Sequence, residues 1–408
     1  MIHIQQIQKI DGTRVNLMIK SQQQITIANP ALTLLPGLID PHVHFRTPGL
    51  EQKEDWRTAA KAAIAGGYTT VFDMPNTLPP TITAEFLKEK KALIDSQLKE
   101  VGIPLRYQLF FGADKNHLNE IPLVKNEIVG IKVFMGCSTG NLVIDDDASL
   151  QAVFEIAAAN DLLVAVHAED EHLMRERKAA YPGAQPYTVH SDIRNVEVAR
   201  HAVEKAINLT RKYGTRLYIL HVSSAEEIAL IKQAKQDGLP VFAETTPHHL
   251  FLNDSAYQQL AGRAVVNPPL RALQHQASLF TAIQEGIIDT IGSDHAPHTP
   301  AEKAKPYGEC PSGMPGIETT LALLLNAYNE NLLTLEQIVS LTSTRARAIF
   351  NLPDTSDFVL VDLNKIATVS EKHLKTKCGW SAFAGETLKG WPMYTILDGH
   401  CYDLQSKL

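Results

Sequence analysis

Short, nearly continuous runs of apolar residues recur along the middle of the chain, and polar or glycine-rich turns followed by helical patterns separate most of them. This alternation is typical of parallel strands that are buried on both faces and connected by helices. The predicted strands are Leu38–His44, Tyr68–Met74, Leu105–Phe111, Val129–Met135, Leu162–Ala168, Arg216–Val222, Pro240–Thr245 and Ile288–Asp294.

Helical patterns occupy most of the segments between these strands, and several stop at a glycine, a residue that favours the end of a helix. The predicted helices are Glu54–Ala65, Asp147–Asn160, Asn195–Tyr213, Ala225–Asp237, Gly316–Glu330 and Thr334–Phe350. Eight strands with intervening helices over about 260 residues match the size of a (β/α)8 barrel. A doubly wound open sheet is the competing architecture, but no G-x-G-x-x-G segment follows an early strand.

The two ends of the chain carry short alternating stretches of apolar and polar residues, with turns such as Asp11-Gly12 and Asp398-Gly399. Such stretches predict short β-strands. Neither end is large enough to bury much apolar surface alone, so we expect the two to pack together. The sequence therefore predicts a (β/α)8 barrel over residues 36–354 and a small composite β-rich domain built from residues 1–35 and 355–408.

Composition narrows the functional classes that this fold can serve. The 408 residues are 44% hydrophobic and carry a net charge of −7 without a Lys/Arg-rich block, which disfavours a nucleic-acid binder. No apolar run approaches the ~18 residues of a membrane span, and the first residues lack the pattern of a secretory signal. The cysteines form no C-x-x-C pair, so we interpret Cys137, Cys310, Cys378 and Cys401 as free thiols in a reducing compartment. We therefore expect a soluble cytoplasmic protein.

Six potential metal ligands lie at or near the C-terminal ends of predicted strands, and in a barrel these ends ring the mouth of the active site. His42 and His44 lie on one face of the first strand because side chains alternate along a strand, so their imidazoles can converge on one ion. A lone histidine in an apolar strand is usually a core residue, but the combination indicates a metal site. The six residues are His42, His44, Lys132, His167, His221 and Asp294.

Lys132 is the most informative of the six. A buried ammonium beside metal ions is unfavourable, and the ordinary interpretation is a snorkelling or ion-paired lysine. Addition of CO2 to the amine would instead give an anionic carbamate, whose two oxygens can bridge two divalent ions. Four neutral imidazoles and the carboxylate of Asp294 neutralise only one of the four positive charges of such a pair. The charge balance therefore favours carboxylated Lys132 as a bridging ligand.

The remaining cationic and imidazole side chains have less decisive patterns. Arg46 lies two residues beyond a predicted metal ligand, and its guanidinium can bind a carboxylate through two hydrogen bonds; the alternative is a salt bridge to Glu51 or Asp55. His248 and His249 follow the seventh strand and fit either donors that orient metal ligands or ordinary loop residues. The histidines interpreted as structural or solvent-exposed are His3, His117, His172, His190, His201, His275, His373 and His400.

Segments spread over nearly the whole chain resemble the dihydroorotase branch of the amidohydrolase superfamily. They are Pro36–Arg46, Met74–Thr77, Val266–Arg271, Asp294–His298, Cys378–Ser381 and Leu388–Pro392. The resemblance implies a site for two divalent metal ions, usually zinc, although some dihydroorotases have an aspartate ligand in the region of the lysine. It assigns His42, His44 and Asp294 to the more buried ion, His167 and His221 to the other, and carboxylated Lys132 to the bridge.

The same resemblance implies how a substrate would be held. Asp294 would act as general base as well as ligand, accepting a proton and passing it to the departing ring nitrogen. The carboxylate of the substrate is assigned to Arg46, Asn76 and His298. Asn267 would contact the ring amide groups, although a turn-forming role before two prolines explains it nearly as well.

The activity implied is the reversible hydrolysis of the cyclic amide of L-dihydroorotate to N-carbamoyl-L-aspartate, a step in de novo pyrimidine (UMP) biosynthesis. An allantoinase or hydantoinase would share the metal pattern but needs no fixed cation for a carboxylate, so Arg46 with His298 favours the first activity. A non-catalytic scaffold protein would have lost metal positions, and all six are present. The resemblance also implies a homodimer, leaves open an association with aspartate transcarbamoylase, and predicts that the Gly/Pro-rich loop Glu302–Gly316 covers the site.

Overall fold

The computed structural model of the protein describes residues 1–137, 142–183 and 185–405. Its strands form two sheets. The outer sheet contains the first four strands and three strands from the end of the chain, and the other is a parallel sheet of eight strands. The first four strands are β1 (Ile2–Lys9), β2 (Arg14–Ile19), β3 (Ile25–Ile27) and β4 (Leu32–Pro36). The parallel strands are β5 (Leu38–Val43), β6 (Tyr68–Asp73), β7 (Arg106–Gly112), β8 (Gly130–Phe134), β9 (Leu163–His167), β10 (Arg216–Ile219), β11 (Val241–Thr245) and β12 (Thr290–Ile291).

The parallel sheet closes into a barrel where the end of β5 meets the segment after β12. Val43 and His295 form a parallel bridge, and the backbone N–H of His44 donates to the carbonyl of His295 over 2.8 Å. The N–H of Ser293 donates to the carboxylate of Asp40 over 3.0 Å. These contacts join the first and last strands, and the predicted (β/α)8 barrel is confirmed.

The eighth strand is shorter than the predicted Ile288–Asp294 and covers only Thr290–Ile291. The backbone leaves the strand at Gly292, where an added Cβ would lie 2.5 Å from the carboxylate of Glu244. Asp294 then adopts a φ of 44°, a left-handed conformation that cannot continue a β-strand. This turn places Asp294 beside the end of β5.

Helices connect most of the barrel strands and surround them. They are α1 (Trp56–Ala65), α2 (Ala84–Val101), α3 (Ile121–Val124), α4 (Asp147–Ala159), α5 (Glu171–Ala179), α6 (Val189–Ile193), α7 (Val196–Tyr213), α8 (Ala225–Gln236), α9 (Pro247–Phe251), α10 (Tyr257–Leu260), α11 (Leu273–Gln284), α12 (Pro300–Lys303), α13 (Thr320–Asn329), α14 (Leu335–Val339) and α15 (Arg345–Ile349). In the described ranges, no helix has both the length and the apolar character needed to cross a membrane.

Three predicted helices have bounds that differ from the structure by two residues or more, and the one predicted over Gly316–Glu330 begins only at Thr320. The helix predicted from Glu54 begins at Trp56, because the Asp55 carboxylate caps it by accepting backbone N–H groups of its first turn. The helix predicted over Thr334–Phe350 consists of α14 and α15, which are joined by a π-helical turn at Ser340–Thr344. A turn of this kind widens the helix locally and is not visible in an apolar periodicity.

Both ends of the chain meet in the outer sheet. Its later strands are β13 (Phe358–Thr368), β14 (Thr387–Leu397) and β15 (His400–Asp403). The strand order is β15-β14-β13-β4-β1-β2, with β3 beside β1, and the antiparallel pairing of β4 with β13 sets Leu34 opposite Leu360. The β-rich unit predicted from both ends is confirmed by this sheet, while its boundaries at residues 35 and 355 stay a prediction.

The segment between β13 and β14, residues 369–386, leaves the outer sheet and packs on the barrel; we call it the capping segment. Its Trp380 is fully buried and lies in one apolar cluster with Val265 and Met314. The indole N–H of Trp380 donates to the backbone carbonyl of His298 over 2.7 Å. The capping segment therefore fixes the backbone of a residue predicted to bind substrate.

Candidate active site

Four buried imidazoles form a row at the C-terminal ends of β5, β9 and β10. The ring centroids are 5.3 Å apart for His44 and His42 and 5.5 Å apart for His42 and His221. The rings of His221 and His167 are 4.7 Å apart. The structure thus brings together, at the end of the barrel that carries active sites, all four histidines predicted to be ligands.

Asp294 lies at one end of this row. Its Oδ1 is 3.3 Å from Nε2 of His42 and 3.2 Å from Nε2 of His44. One nitrogen or oxygen from each of these three side chains lies within 4.8 Å of the others, a spacing that one metal ion can bridge. Burial lowers the pKa of His42 to about 3 and that of His44 to about 4, so both imidazoles are neutral at pH 7 and able to ligate a metal.

One side chain from β11 and one from the loop after β6 determine which ring nitrogens face Asp294. Nδ1 of His42 is 2.7 Å from Oε1 of Glu244, and Nδ1 of His44 is 2.8 Å from Oδ1 of Asn76. These oxygens accept hydrogen bonds, so each Nδ1 carries the ring proton and each Nε2 keeps its lone pair. Asn76 thereby orients a histidine through its oxygen, and its contact with a substrate stays a prediction.

His167 and His221 form the other end of the row. Nδ1 of His167 is 2.9 Å from Nε2 of His221, and Nε2 of His167 is 2.8 Å from Oε2 of Glu169. The carboxylate of Glu169, which is paired with the guanidinium of Arg194, accepts the Nε2 proton and leaves a lone pair on Nδ1. Burial lowers the pKa of both histidines, so this pair also offers neutral nitrogen ligands.

Lys132 lies in the middle of β8 and is 1% exposed. Its Nζ is 4.6 Å from the centroid of the Phe134 ring, and no hydrogen bond or ion pair engages it within the described parts of the chain. Burial lowers the pKa of the amine to about 7, although the carboxylates of Asp294 and Glu244 oppose that shift. A substantial fraction of the amine is therefore uncharged at neutral pH, and this is the form that adds to CO2.

Arg46 and His298 face each other beside the row. Arg46 is 2% exposed, its Nε donates to the carbonyl of Pro297 over 3.1 Å, and its Nη2 is 3.1 Å from Nε2 of His298. The alternative of a salt bridge from Arg46 to Glu51 or Asp55 is wrong for the described chain: Asp55 caps α1 and pairs with a lysine of the capping segment, and Glu51 accepts the backbone N–H of Gly49. The guanidinium is therefore held toward the mouth of the barrel.

Comparison with known proteins assigns the family. The sequence model that describes the amidohydrolase family matches residues 33–401 of this chain. The chain belongs to the amidohydrolase family. A dihydroorotase of Methanosarcina acetivorans is 33% identical to this chain over 96% of this chain and 86% of its own length. A dihydroorotase of Carboxydothermus hydrogenoformans is 36% identical over 90% of this chain and 85% of its own length. The structure of the L-hydantoinase (dihydropyrimidinase) from Arthrobacter aurescens aligns with a TM-score of 0.90 at 26% identity, over 98% of this chain and 95% of that one.

Other histidines of this amidohydrolase support the loops around the row. His190, interpreted from the sequence as structural or exposed, is buried and places Nε2 3.0 Å from Oδ1 of Asn267. Nε2 of His249 donates to the carbonyl of Pro268 over 3.1 Å, so its function is to hold the same loop. The ring of His248 packs against that of His249, with centroids 4.5 Å apart and the planes tilted by 53°. The predicted contact of Asn267 with a substrate stays a prediction.

The covering loop Glu302–Gly316 contacts the same site. The carbonyl of Ser312 accepts a hydrogen bond from Nε2 of His298 over 3.0 Å. Nζ of Lys303 donates to the carbonyl of Pro311 over 2.7 Å and anchors the loop from within. The loop therefore lies against His298, and its opening and closing stay a prediction.

The sequence analysis missed three charged residues that orient predicted site residues: Lys53, Glu169 and Glu244. Glu244 had a usable signal, because an acidic residue inside an apolar strand must find a buried partner. Lys53 had none, since it lies in a charged stretch typical of a solvated surface. Its Nζ is nevertheless 3.1 Å from Nδ1 of His298 and 2.9 Å from Oε1 of Glu302.

Proposed function

We propose that this chain is a dihydroorotase, which hydrolyses the cyclic amide of L-dihydroorotate reversibly to N-carbamoyl-L-aspartate in pyrimidine biosynthesis. The observation that carries the proposal is the buried guanidinium of Arg46 beside His298, next to the row of imidazoles. A ring that bears a carboxylate needs such a cation, because a buried anion without a partner is costly. The similarity to curated dihydroorotases over most of the chain supports the same function.

We propose that these residues bind a pair of divalent metal ions, and the cluster of His42, His44 and Asp294 supports one of the two sites. Neutral imidazole nitrogens and a carboxylate oxygen converge in a buried site, and this donor set suits zinc. When bound, the ions would supply Lewis acidity toward the ring carbonyl and would lower the pKa of water. We propose that one ion is held by His42, His44 and Asp294, the other by His167 and His221, with carboxylated Lys132 between them.

The polypeptide supplies the remaining steps. In our proposal Asp294 accepts the proton of the attacking water and passes it to the ring nitrogen as the amide bond breaks. The Arg46 guanidinium and Nε2 of His298 hold the substrate carboxylate, which fixes the position of the ring. Asn76 would add a contact to the same carboxylate, and Asn267 would bond the ring amide groups.

The carbamate on Lys132 can be tested directly. The lysine nitrogen forms a bond to the carbon of CO2, one C–O π bond becomes an oxygen lone pair, and the amine loses one proton. Protein loaded with zinc in ¹³C-bicarbonate is expected to show one carbamate ¹³C resonance that is absent from Lys132→Met. The variant should also bind less metal and lose more than about 100-fold in turnover. Mutation of residues that only hydrogen-bond to metal ligands already costs about 10–100-fold in metal affinity or activity. If wild-type protein in ¹³C-bicarbonate bound both metal ions but showed no carbamate ¹³C resonance, the proposed carbamate on Lys132 would be wrong.

A hydantoinase is the second candidate, because a solved hydantoinase has the same fold at 26% identity. The deciding experiment compares hydrolysis of L-dihydroorotate, dihydrouracil and hydantoin by zinc-replete protein, followed by ultraviolet absorbance. We expect turnover of L-dihydroorotate far above that of the two rings without a carboxylate. Faster turnover of hydantoin would favour the second candidate. The homodimer, the association with aspartate transcarbamoylase and the cytoplasmic location stay predictions.

A further inference from the structure

We propose that Lys53 is a positioning residue for the substrate carboxylate: it fixes the tautomer of His298, so that the Nε2–H of that ring lies beside the guanidinium of Arg46 as a second donor for the anion. This inference rests on the proposed function. It concerns a residue that lies 245 positions from His298 in the sequence and contacts it directly in the fold.

The hydrogen-bond chemistry of the His298 ring leaves one neutral tautomer. His298 is fully buried, and its Nδ1 is 3.1 Å from the ammonium nitrogen of Lys53. An ammonium has donors only, so Nδ1 must be the acceptor and the ring proton must lie on Nε2. Nε2 is 3.0 Å from the carbonyl oxygen of Ser312, which accepts that proton. The contacts on both sides of the ring therefore agree.

Arg46 then cannot form a hydrogen bond with His298. Its Nη2 is 3.1 Å from Nε2, yet a guanidinium also has donors only. Two donors at this separation are stabilised by an acceptor that both can reach, and a carboxylate with two oxygens has the matching form. The Ser312 carbonyl holds the Nε2 proton in this structure, so the substrate carboxylate would take the place of that carbonyl when it binds.

Lys53 is itself held in place by the segment that begins the covering loop. Its Nζ is 2.9 Å from Oε1 of Glu302. The other carboxylate oxygen of Glu302 accepts the backbone N–H and the hydroxyl of Thr299 over 2.9 and 3.0 Å, in the capping box of α12. The ammonium is therefore fixed by a rigid acceptor on one side and directs a proton to His298 on the other.

Loss of Lys53 would release the other tautomer. With no donor at Nδ1, the ring proton of His298 could move there and Nε2 would become an acceptor. Nη2 of Arg46 lies within hydrogen-bonding distance of that nitrogen. The two side chains would then satisfy each other, and the anion would lose both donors together.

The first measurement reads the tautomer and does not depend on the reaction. In protein labelled with ¹⁵N-histidine, the His298 signals are assigned by their loss in His298→Gln, and the two ring nitrogen shifts identify the protonated nitrogen. We expect the Nε2–H form in wild type and a population of the Nδ1–H form in Lys53→Met. Lys53→Arg should restore the Nε2–H form because it restores a donor. Lys235→Met is the control, since Lys235 is a partly buried lysine that pairs with Asp289 and the Ile287 carbonyl, before β12, and does not contact His298.

The second measurement is the kinetics of Lys53→Met. The KM for L-dihydroorotate should rise about tenfold, as expected for a lost hydrogen bond to a charged group, with kcat within about twofold of wild type. Hydrolysis of dihydrouracil, which has no carboxylate, should not change. A loss of kcat on both substrates, or an unchanged His298 tautomer in Lys53→Met, would overturn the inference. A wild-type protein that does not hydrolyse L-dihydroorotate would refute the proposed function, and the tautomer measurement would still decide the role of Lys53.

Discussion

The Asp294→Asn variant is expected to hydrolyse L-dihydroorotate with a kcat reduced by about 10²- to 10⁴-fold or more, the range that a positioned general base contributes. The amide keeps the shape of the carboxylate but cannot accept and return a proton. It also removes the negative charge that faces Nε2 of His42 and of His44. The measurement is kcat together with bound metal, so that loss of the base is separated from loss of an ion.

Asp289→Asn is a matched control for this variant. Asp289 is also a buried carboxylate. It lies directly before β12 whereas Asp294 follows that strand, so the two residues are at opposite ends of it. It pairs with Lys235 and Arg345, so its loss should lower the free energy of unfolding and leave kcat nearly unchanged. An Asp294→Asn protein that retained wild-type turnover would remove Asp294 from the mechanism.

The Arg46→Ala variant is expected to lose selectivity for substrates that bear a carboxylate. Truncating one partner of a buried charge pair costs about 2–5 kcal/mol, which corresponds to a loss of roughly 30- to 5000-fold in kcat/KM for L-dihydroorotate. Dihydrouracil places no anion beside the guanidinium, so its kcat/KM should change much less. Steady-state kinetics on the two substrates, with circular dichroism to verify folding, test this expectation.

Arg46→Lys distinguishes charge from geometry at the same position. A lysine keeps the positive charge but lacks the planar fork of donors with which a guanidinium binds a carboxylate through two hydrogen bonds. We expect an intermediate loss of kcat/KM for L-dihydroorotate. An equal loss on both substrates in Arg46→Ala would show that Arg46 supports the structure rather than the carboxylate.

Much of the barrel could be predicted because its signals are local. Apolar runs indicate parallel strands at any position in the fold, and the spacing of His42 and His44 places both imidazoles on one face without knowledge of the partners. The short eighth strand could not be predicted in the same way. It is followed by Gly292, where the carboxylate of Glu244 leaves no space for a Cβ, and that contact exists only in the closed barrel.

The orientation of the site residues is the part that sequence patterns do not contain. Which nitrogen of His42 faces Asp294 depends on Glu244, 202 positions away in the chain. The direction of the His298 ring depends in the same way on Lys53. Hydrophobic periodicity is insensitive to such pairs, because a buried charge and its partner can come from any two elements that the fold brings together.

The position of Trp380 has a consequence for the order in which the protein matures during synthesis. A ribosome completes the eight barrel strands long before it reaches β13, the partner of β4, and the indole that bonds the carbonyl of His298. A nascent chain released before that point would contain all six predicted metal ligands but would lack the support of the His298 backbone. Translation through residues 358–380 is thus what finishes the active site, and a chain interrupted earlier would be left with an incomplete one.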